Sequence, residues 1–526
     1  STPVTIYSDN ANTAIAKVGD TVTLSFTVNE PLLGSPTVTI DGNATSLAGA
    51  YPTYQATYTL VGGETEGSLA FTLDFTDAVG NPATQVTATT DASTVTFDQT
   101  PPQAPGVTIY SNNGDTTLAK VGDIVTVSFV VNEALLTTPT VTIDGNAAMV
   151  SGTNPNYTAT YTMQAADTEG PLAFTLDFTD LSGNAGVQVT ATSDASSVRF
   201  DETDPTSTPR TIFSSNANVA RAKVGDTVTL SFTVSEALLS DPTVTIDGNT
   251  ATINNASAPV YTATYVMQAG DTEGVLTYSI SFNDLAGNTS TNYTIVTDAT
   301  TVTFDETAPL SSPITIYSNN GNTALGKVGD IVTLSFTVNE PLLGSPTVTI
   351  DGNAATIAGA YPTYQASYTT QAGDTDGVLA FTLDFTDAVG NPATQVTAVT
   401  DGSSVTFDEI DPTAAPVTIS SNNINSARAK VGDIVTLSFT VNEPLLGSPT
   451  VTIDGNATSL AGSYPTYQAS YTMQTGDTQA ALSFTLDFTD AVGNPAVQVT
   501  AVTDASSVTF DETDPIASPR TIFSNN

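Results

Sequence analysis

Val18-Gly19-Asp20-Thr21-Val22-Thr23-Leu24-Ser25-Phe26-Thr27-Val28 is the stretch on which the fold turns. After the Val-Gly-Asp triplet, apolar Val22, Leu24, Phe26 and Val28 alternate with Thr21, Thr23, Ser25 and Thr27. That period of two puts one face of a strand in a core and the other in water. A helix would need apolar residues three and four apart, and no window of the chain has them convincingly. Threonine on the wet face fits the same reading, because a β-branched side chain suits a pleated surface.

The alternation spreads outward from this strand. It recurs at Val38 and Ile40, at Tyr54, Ala56, Tyr58 and Leu60, at Leu69, Phe71, Leu73 and Phe75, and at Val95 and Phe97. Between two such runs, Asp41-Gly42-Asn43 signals a tight turn, since these residues tolerate left-handed backbone. Strands are therefore expected at 3–8, 21–28, 36–41, 44–47, 53–60, 68–76 and about 84–98, the last with an interruption at 91–93. Seven short strands in about 100 residues read as an immunoglobulin-like sandwich.

The whole pattern then repeats. Val-Gly-Asp ends at Asp20, Asp123, Asp226, Asp330 and Asp433, a period of 103 or 104 residues. A unit of about 100 residues is a full domain with its own core, not one turn of a solenoid. The chain is thus expected to be all-β, with five tandem immunoglobulin-like β-sandwich domains in an extended rod. The expected limits are 1–100, 101–204, 205–307, 308–411 and 412–514, with 515–526 opening a sixth repeat through its first strand only. Proline-bearing linkers follow Asp98, Asp201, Asp305, Asp408 and Asp511, and their restricted backbone favours a rod over a loose string.

Composition narrows the chemistry. Cys, His and Trp are absent, which excludes thiolate or imidazole metal sites and Ser-His or Cys-His nucleophiles. Asp and Glu number 53 against 10 Lys and Arg, a formal charge of -43. Such a field repels phosphate, so nucleic acid is not an expected partner, and it attracts divalent cations. No apolar run approaches the ~18 residues of a membrane span, so membrane insertion is not expected of this segment. Five copies of a whole unit are also a poor way to build the single carboxylate pair of a glycosidase, and no enzyme activity is expected.

Asp77-Ala78-Val79-Gly80-Asn81, followed by Phe97-Asp98 and a linker proline, resembles the bacterial immunoglobulin-like repeats of giant cell-surface adhesins. The Asp-x-x-Gly-Asn element is present in every repeat, at Asp77, Asp180, Asp284, Asp387 and Asp490. The Thr-rich, His-free and Cys-free composition also resembles adhesins of gliding Bacteroidota. The resemblance implies a secreted, extracellular chain at the cell surface, and linkers stiffened by calcium.

An immunoglobulin-like order carries the loop after the second strand and the loop holding Asp-x-x-Gly-Asn back to the pole where the preceding linker enters. Acidic groups are then expected to converge at each junction. At the first they are Asp98, Glu133, Asp180 and Asn184. At the second they are Asp201, Glu202, Asp204, Glu236, Asp284 and Asn288. The third gathers Asp305, Glu306, Glu340, Asp387 and Asn391, and the fourth Asp408, Glu409, Asp411, Glu443, Asp490 and Asn494. Carboxylates and amide oxygens without a soft ligand suit a hard cation, and Ca2+ accepts irregular sets of six to eight oxygens more readily than Mg2+. The same residues equally suit plain turns, in which Asp and Asn bind local amides and Gly supplies positive φ. Gln99, where the other linkers carry Glu, weakens the cation reading at the first junction.

Three further features have bland readings. The acids Glu64, Glu66, Asp167, Glu169, Asp271, Glu273, Asp374, Asp376 and Asp477 form a solvated loop at the opposite pole, an assignment favoured by the drift to Thr478-Gln479-Ala480. The one lysine kept in register, at Lys17, Lys120, Lys223, Lys327 and Lys430, suggests a local ion pair. Tyr54 and Tyr58 share one face of a strand and belong in the core rather than on a sugar-stacking platform.

The expected function is a structural stalk. Each repeat spans about 40 Å, the segment about 200 Å, and neighbouring repeats of the same chain are the partners. An unknown surface ligand would be met by regions outside this segment. The alternative is that the repeats themselves bind glycan or cell-surface ligands, for attachment or gliding.

Overall fold

A computed structural model describes residues 2–518. Among them there are strands and no α-helix, and no helix is long and apolar enough to cross a membrane. The last residues of the expected sixth-repeat strand, 519–526, lie outside the described residues. The chain divides into two compact units, Ser1–Phe213 with Thr229–Tyr265 and Leu276–Thr301, and Ser214–Val228 with Val266–Val275 and Val302–Asn526. The division falls inside the third sequence repeat.

In the first repeat the strands are β1 (Val4–Ser8), β2 (Ile15–Ala16), β3 (Thr21–Thr27), β4 (Thr37–Ile40), β5 (Asn43–Ala44), β6 (Ser46–Ala50), β7 (Thr53–Thr59), β8 (Gly67–Ser68), β9 (Phe71–Asp74) and β10 (Thr96–Phe97). One sheet runs β1-β3-β7-β6, a second β5-β4-β9, and a small third β2-β10-β8. The strand read first from the sequence is the middle of the first sheet, with Phe26 opposite both Val4 and Tyr54. Asp41 and Gly42 both have positive φ, 49° and 79°, the pair that a two-residue hairpin between β4 and β5 requires. Strands at equivalent places recur with the sequence period, except that the fifth repeat keeps only a bridge from Ala481 to Thr509 where β8 would stand, and the fold is an immunoglobulin-like sandwich in series.

The alternating residues do fill the cores. Val22, Leu24, Phe26, Ile40, Ala56, Leu73 and Phe97 are buried between the sheets, and Tyr54 stacks on Phe26 with ring centroids 5.5 Å apart. Tyr58 lies against the same core and turns its hydroxyl to Glu64. Contiguous cores in the first, second, fourth and fifth repeats each draw residues from one repeat alone.

The seventh strand departs from expectation. Only Thr96–Phe97 is strand, and upstream Val86 makes a single bridge to Leu73. Between them the Thr90 hydroxyl accepts the Val4 amide and the Ser93 hydroxyl the Ile6 amide, both at 2.9 Å. Side-chain oxygens thus satisfy β1 where a neighbouring strand's carbonyls would, and Ala92, at φ 60°, bends the segment away. Ile15–Ala16, unremarkable in the sequence, is a short strand parallel to β10.

Candidate cation site at the repeat junctions

Each junction is assembled from three backbone elements. The linker aspartate follows β10 or its equivalent by one residue, where its amide is tied to the preceding repeat, as Asp98 N is to Ala16 O at 2.9 Å. The glutamate stands just past the equivalent of β3. The third acid opens the Asp-x-x-Gly-Asn loop, which is closed upon itself: Asp180 Oδ1 accepts the Asn184 amide at 2.8 Å, and Asp180 N donates to Asn184 O.

The structure brings Asp98, Glu133 and Asp180 together, and likewise Asp201, Glu236 and Asp284, Asp305, Glu340 and Asp387, and Asp408, Glu443 and Asp490. In each trio one carboxylate oxygen per residue lies within 4.8 Å of the other two. Two oxygens bound to one Ca2+ at about 2.3–2.6 Å each stand no more than about 5 Å apart, so the spacing fits. Asp180, Asp284, Asp387 and Asp490 are at most 1% exposed. Asp490 Oδ2 is buried with no hydrogen-bond partner, whereas the equivalent oxygens of Asp180, Asp284 and Asp387 accept the side-chain amides of Asn184, Asn288 and Asn391 at 2.8–2.9 Å.

The other residues expected at the junctions make bonds of their own. Asn184, Asn288, Asn391 and Asn494 each donate their amide to the carbonyl of the preceding linker aspartate, at 2.9–3.0 Å, and so tie the loop to that linker. Glu202, Glu306 and Glu409 fold back to accept the amides of Ala166, Gly270 and Gly373. Asp204 and Asp411 are exposed. Gln99 accepts the Gly63 amide just as these glutamates do, so its neutral side chain takes nothing from the first junction.

The second acidic loop is not merely solvated. Glu66 accepts the Gln99 amide and the Thr100 hydroxyl, and Glu169 and Glu273 do the same one and two repeats on. The far pole of one repeat is the near side of the next junction, which strand order alone did not make plain. In the fifth repeat Gln479 keeps the bond to Thr513 with a neutral oxygen, and the drift that spoke against a role is chemically conservative.

Crowding like charges has an electrostatic price. Burial raises the carboxyl pKa of Glu133 above its ordinary value, and the charges of Asp98, Asp180 and Glu66 push it further. Glu236, Glu340 and Glu443 are raised in the same way, burial first and the two junction aspartates next, and burial also leads for Asp201 and Asp305. A carboxyl whose folded pKa exceeds its unfolded one penalises the fold above that pKa and is relieved as pH falls through it. In calcium-free buffer the melting midpoint is therefore expected to rise between pH 7 and about pH 5. With Ca2+ bound the slope reverses, because protons compete with the cation. Melting curves at both pH values, with and without Ca2+, check the sign.

The preceding repeat contributes a second set of residues that the sequence reading placed elsewhere. Lys120, Lys223 and Lys327 donate from Nζ to the carbonyls of Gly287, Gly390 and Gly493 in the following repeat, each at 2.6 Å. Asn10, Asn113, Asn216 and Asn320 reach the neighbouring carbonyls of Ser182, Ala286, Val389 and Val492 at 2.9–3.0 Å. Lys17 and Lys430 do form the expected local pairs, with Asp20 at 3.7 Å and Asp433 at 3.3 Å. The signal was present in the sequence, as an Asn seven residues before each of the lysines in register.

No family model matches the chain, and no curated protein matches it. Among solved structures, a Ca2+-stabilized adhesin that helps an Antarctic bacterium reach out and bind ice is 19% identical, covering 78% of this chain and 100% of that one, with a TM-score of 0.41. A tetra-tandem repeat in the extending region of a large adhesion protein is 20% identical over 78% of this chain and 100% of its own, with a TM-score of 0.32. Immunoglobulin domains 1–5 of Sidekick-1 are 11% identical over 97% and 99%, with a TM-score of 0.25.

Proposed function

We propose that this chain is a stalk segment of a large secreted bacterial surface adhesin, in which successive sandwiches are stiffened by Ca2+ at their junctions and hold an adhesive region away from the cell. The domain limits are those set by the period, at the linkers after Asp98, Asp201, Asp305 and Asp408. The observation that carries the reading is the recurrence at four junctions of three carboxylates drawn from two successive repeats, one of them fully buried. A turn needs only the Asp of Asp-x-x-Gly-Asn; it does not need a glutamate and a linker aspartate brought up against it.

The residues that would hold the cation are the trios ending at Asp180, Asp284, Asp387 and Asp490. Bound there, Ca2+ neutralises mutually repelling groups and fastens the linker, the loop after the second strand and the Asp-x-x-Gly-Asn loop to one point. Rotation of one repeat on the next then requires breaking ligand bonds. This chain's own part is to place the oxygens, by tying the linker aspartate to the preceding repeat and the loop aspartate to its own turn.

Small-angle X-ray scattering on the whole chain in Ca2+ tests the stalk. The expected maximum dimension is about 200 Å, from five sandwiches of about 40 Å in file. A compact particle of less than half that length would refute it.

A further inference from the structure

We propose that the Asn and Lys of the second, third and fourth repeats form a metal-free latch on the repeat that follows, so that those three junctions keep their geometry when calcium is withdrawn. The inference builds on the stalk reading but not on the cation. It concerns the face of the Asp-x-x-Gly-Asn loop that the carboxylate trio does not use.

The latch is prepared within the donor repeat. Asp123 Oδ2 accepts both the Lys120 amide and the Asn113 side-chain amide, at 2.9 and 2.7 Å, which fixes the two donors side by side. Asn113 then meets the Ala286 carbonyl and Lys120 the Gly287 carbonyl, two consecutive acceptors of one turn. Asp226 and Asp330 organise Asn216 with Lys223 and Asn320 with Lys327 in the same way. Because Asn288 ties this loop to the Asp201 carbonyl while the latch holds the loop's own carbonyls, the loop is gripped at two places by the repeat before it, as are the loops of Asn391 and Asn494.

Two observations mark the contact as built for the purpose. The loop glycine has positive φ, 87° at Gly287 and 106° at Gly390 and Gly493, and a Cβ there would stand 3.2–3.3 Å from the lysine Nζ. Glycine thus supplies the turn and admits the ammonium. The contact also recurs: Lys120, Lys223 and Lys327 each meet the following repeat's glycine carbonyl at 2.6 Å, while Lys17 packs its stem on Gly183 and pairs with Asp20. An ammonium aimed at a main-chain carbonyl makes a charge-assisted bond that needs no metal.

The acceptors are main chain, so the latch does not read the two variable residues of the loop. These are Leu285-Ala286, Ala388-Val389 and Ala491-Val492 in the three latched repeats, and Leu181-Ser182 where Asn10 alone reaches across. Any repeat that keeps the turn is a fit partner for any repeat that keeps the Asn and Lys, which lets neighbours drift or be duplicated without losing the joint.

The chain has no cysteine, so a spin-label pair at Met149→Cys and Thr252→Cys, equivalent exposed positions on the second and third repeats, reads one junction in the full chain. In chelator the unmodified junction is expected to give a narrow distance distribution, and Lys120→Met, which keeps the stem, to broaden it at least twofold. Lys120→Arg, which keeps a charged donor, is expected to restore the narrow distribution, and Asn113→Ala to broaden it as Lys120→Met does. With Ca2+ all are expected to be narrow. If Lys120→Met and Asn113→Ala in chelator are as narrow as the parent, the latch is refuted. If Lys120→Met broadens in chelator and Ca2+ fails to narrow that variant again, the latch stands and the cation reading falls.

Discussion

Addition of about 10 mM Ca2+ to calcium-free protein is expected to raise the melting midpoint by about 5–20 °C. Calcium sites in extracellular modules have dissociation constants of about 10⁻⁴–10⁻³ M, so that concentration is roughly a 10- to 100-fold excess. A site filled only in the native state then gains about 1.4–2.7 kcal/mol. For domains of about 100 residues each kcal/mol moves the midpoint by about 4–8 °C. Mg2+ should do less, since its shorter bonds and strict octahedron match an irregular trio poorly. Glu443→Gln is the sharper control, because Glu443 is not part of the Asp490 turn and its side chain meets only Asn442 and the crowded acids. That variant is expected to match or exceed the parent without calcium, having lost a repelling charge, and to lose the calcium response of its own junction. A midpoint indifferent to Ca2+ in the parent would remove the cation from the account.

Residues whose role is set by period were legible in advance. Burial at Val22, Leu24 and Phe26 follows from alternation alone, because a slip by one residue would drown every apolar side chain. The trios were legible for a related reason: once strand order is assumed, Asp98, Glu133 and Asp180 have nowhere else to go. What lay beyond the sequence were side chains that act on main chain. Thr90 and Ser93 capping β1, Glu66 binding the linker and Lys120 gripping Gly287 are hydrogen bonds to amides and carbonyls, which every residue carries and no motif distinguishes. Glu202, Glu306 and Glu409 were grouped with the trio by proximity in sequence, although each, one residue past the linker aspartate, folds back onto an amide of its own repeat. The period and the Asn seven residues ahead marked the lysine, and both say that a residue matters without saying to which neighbour.

Phe129→Ala is expected to cost about 3–5 kcal/mol, since it removes a large buried ring and leaves a cavity that a sandwich cannot fully close. Phe129 is 1% exposed and stacks on Tyr157 at 5.5 Å, so its loss also strips the face of a second aromatic. The cost is a large fraction of the roughly 5–15 kcal/mol that holds a domain together. The buried cluster around Phe129 is drawn entirely from Val107–Phe200, and the clusters of the first and fourth repeats share none of its members. The damage should therefore stop at the second repeat. Hydrogen exchange on the whole chain is expected to show lost protection over Ile124–Val130 and Asn156–Thr162, with Thr21–Thr27 and Ile331–Val338 unchanged. The second repeat also carries Asp180 and Lys120, so its unfolding would release the junctions on both sides while leaving the neighbouring sandwiches intact. Protection lost together in the first and fourth repeats would mean that the cores are coupled, and a stalk built from separable bricks would not survive that result.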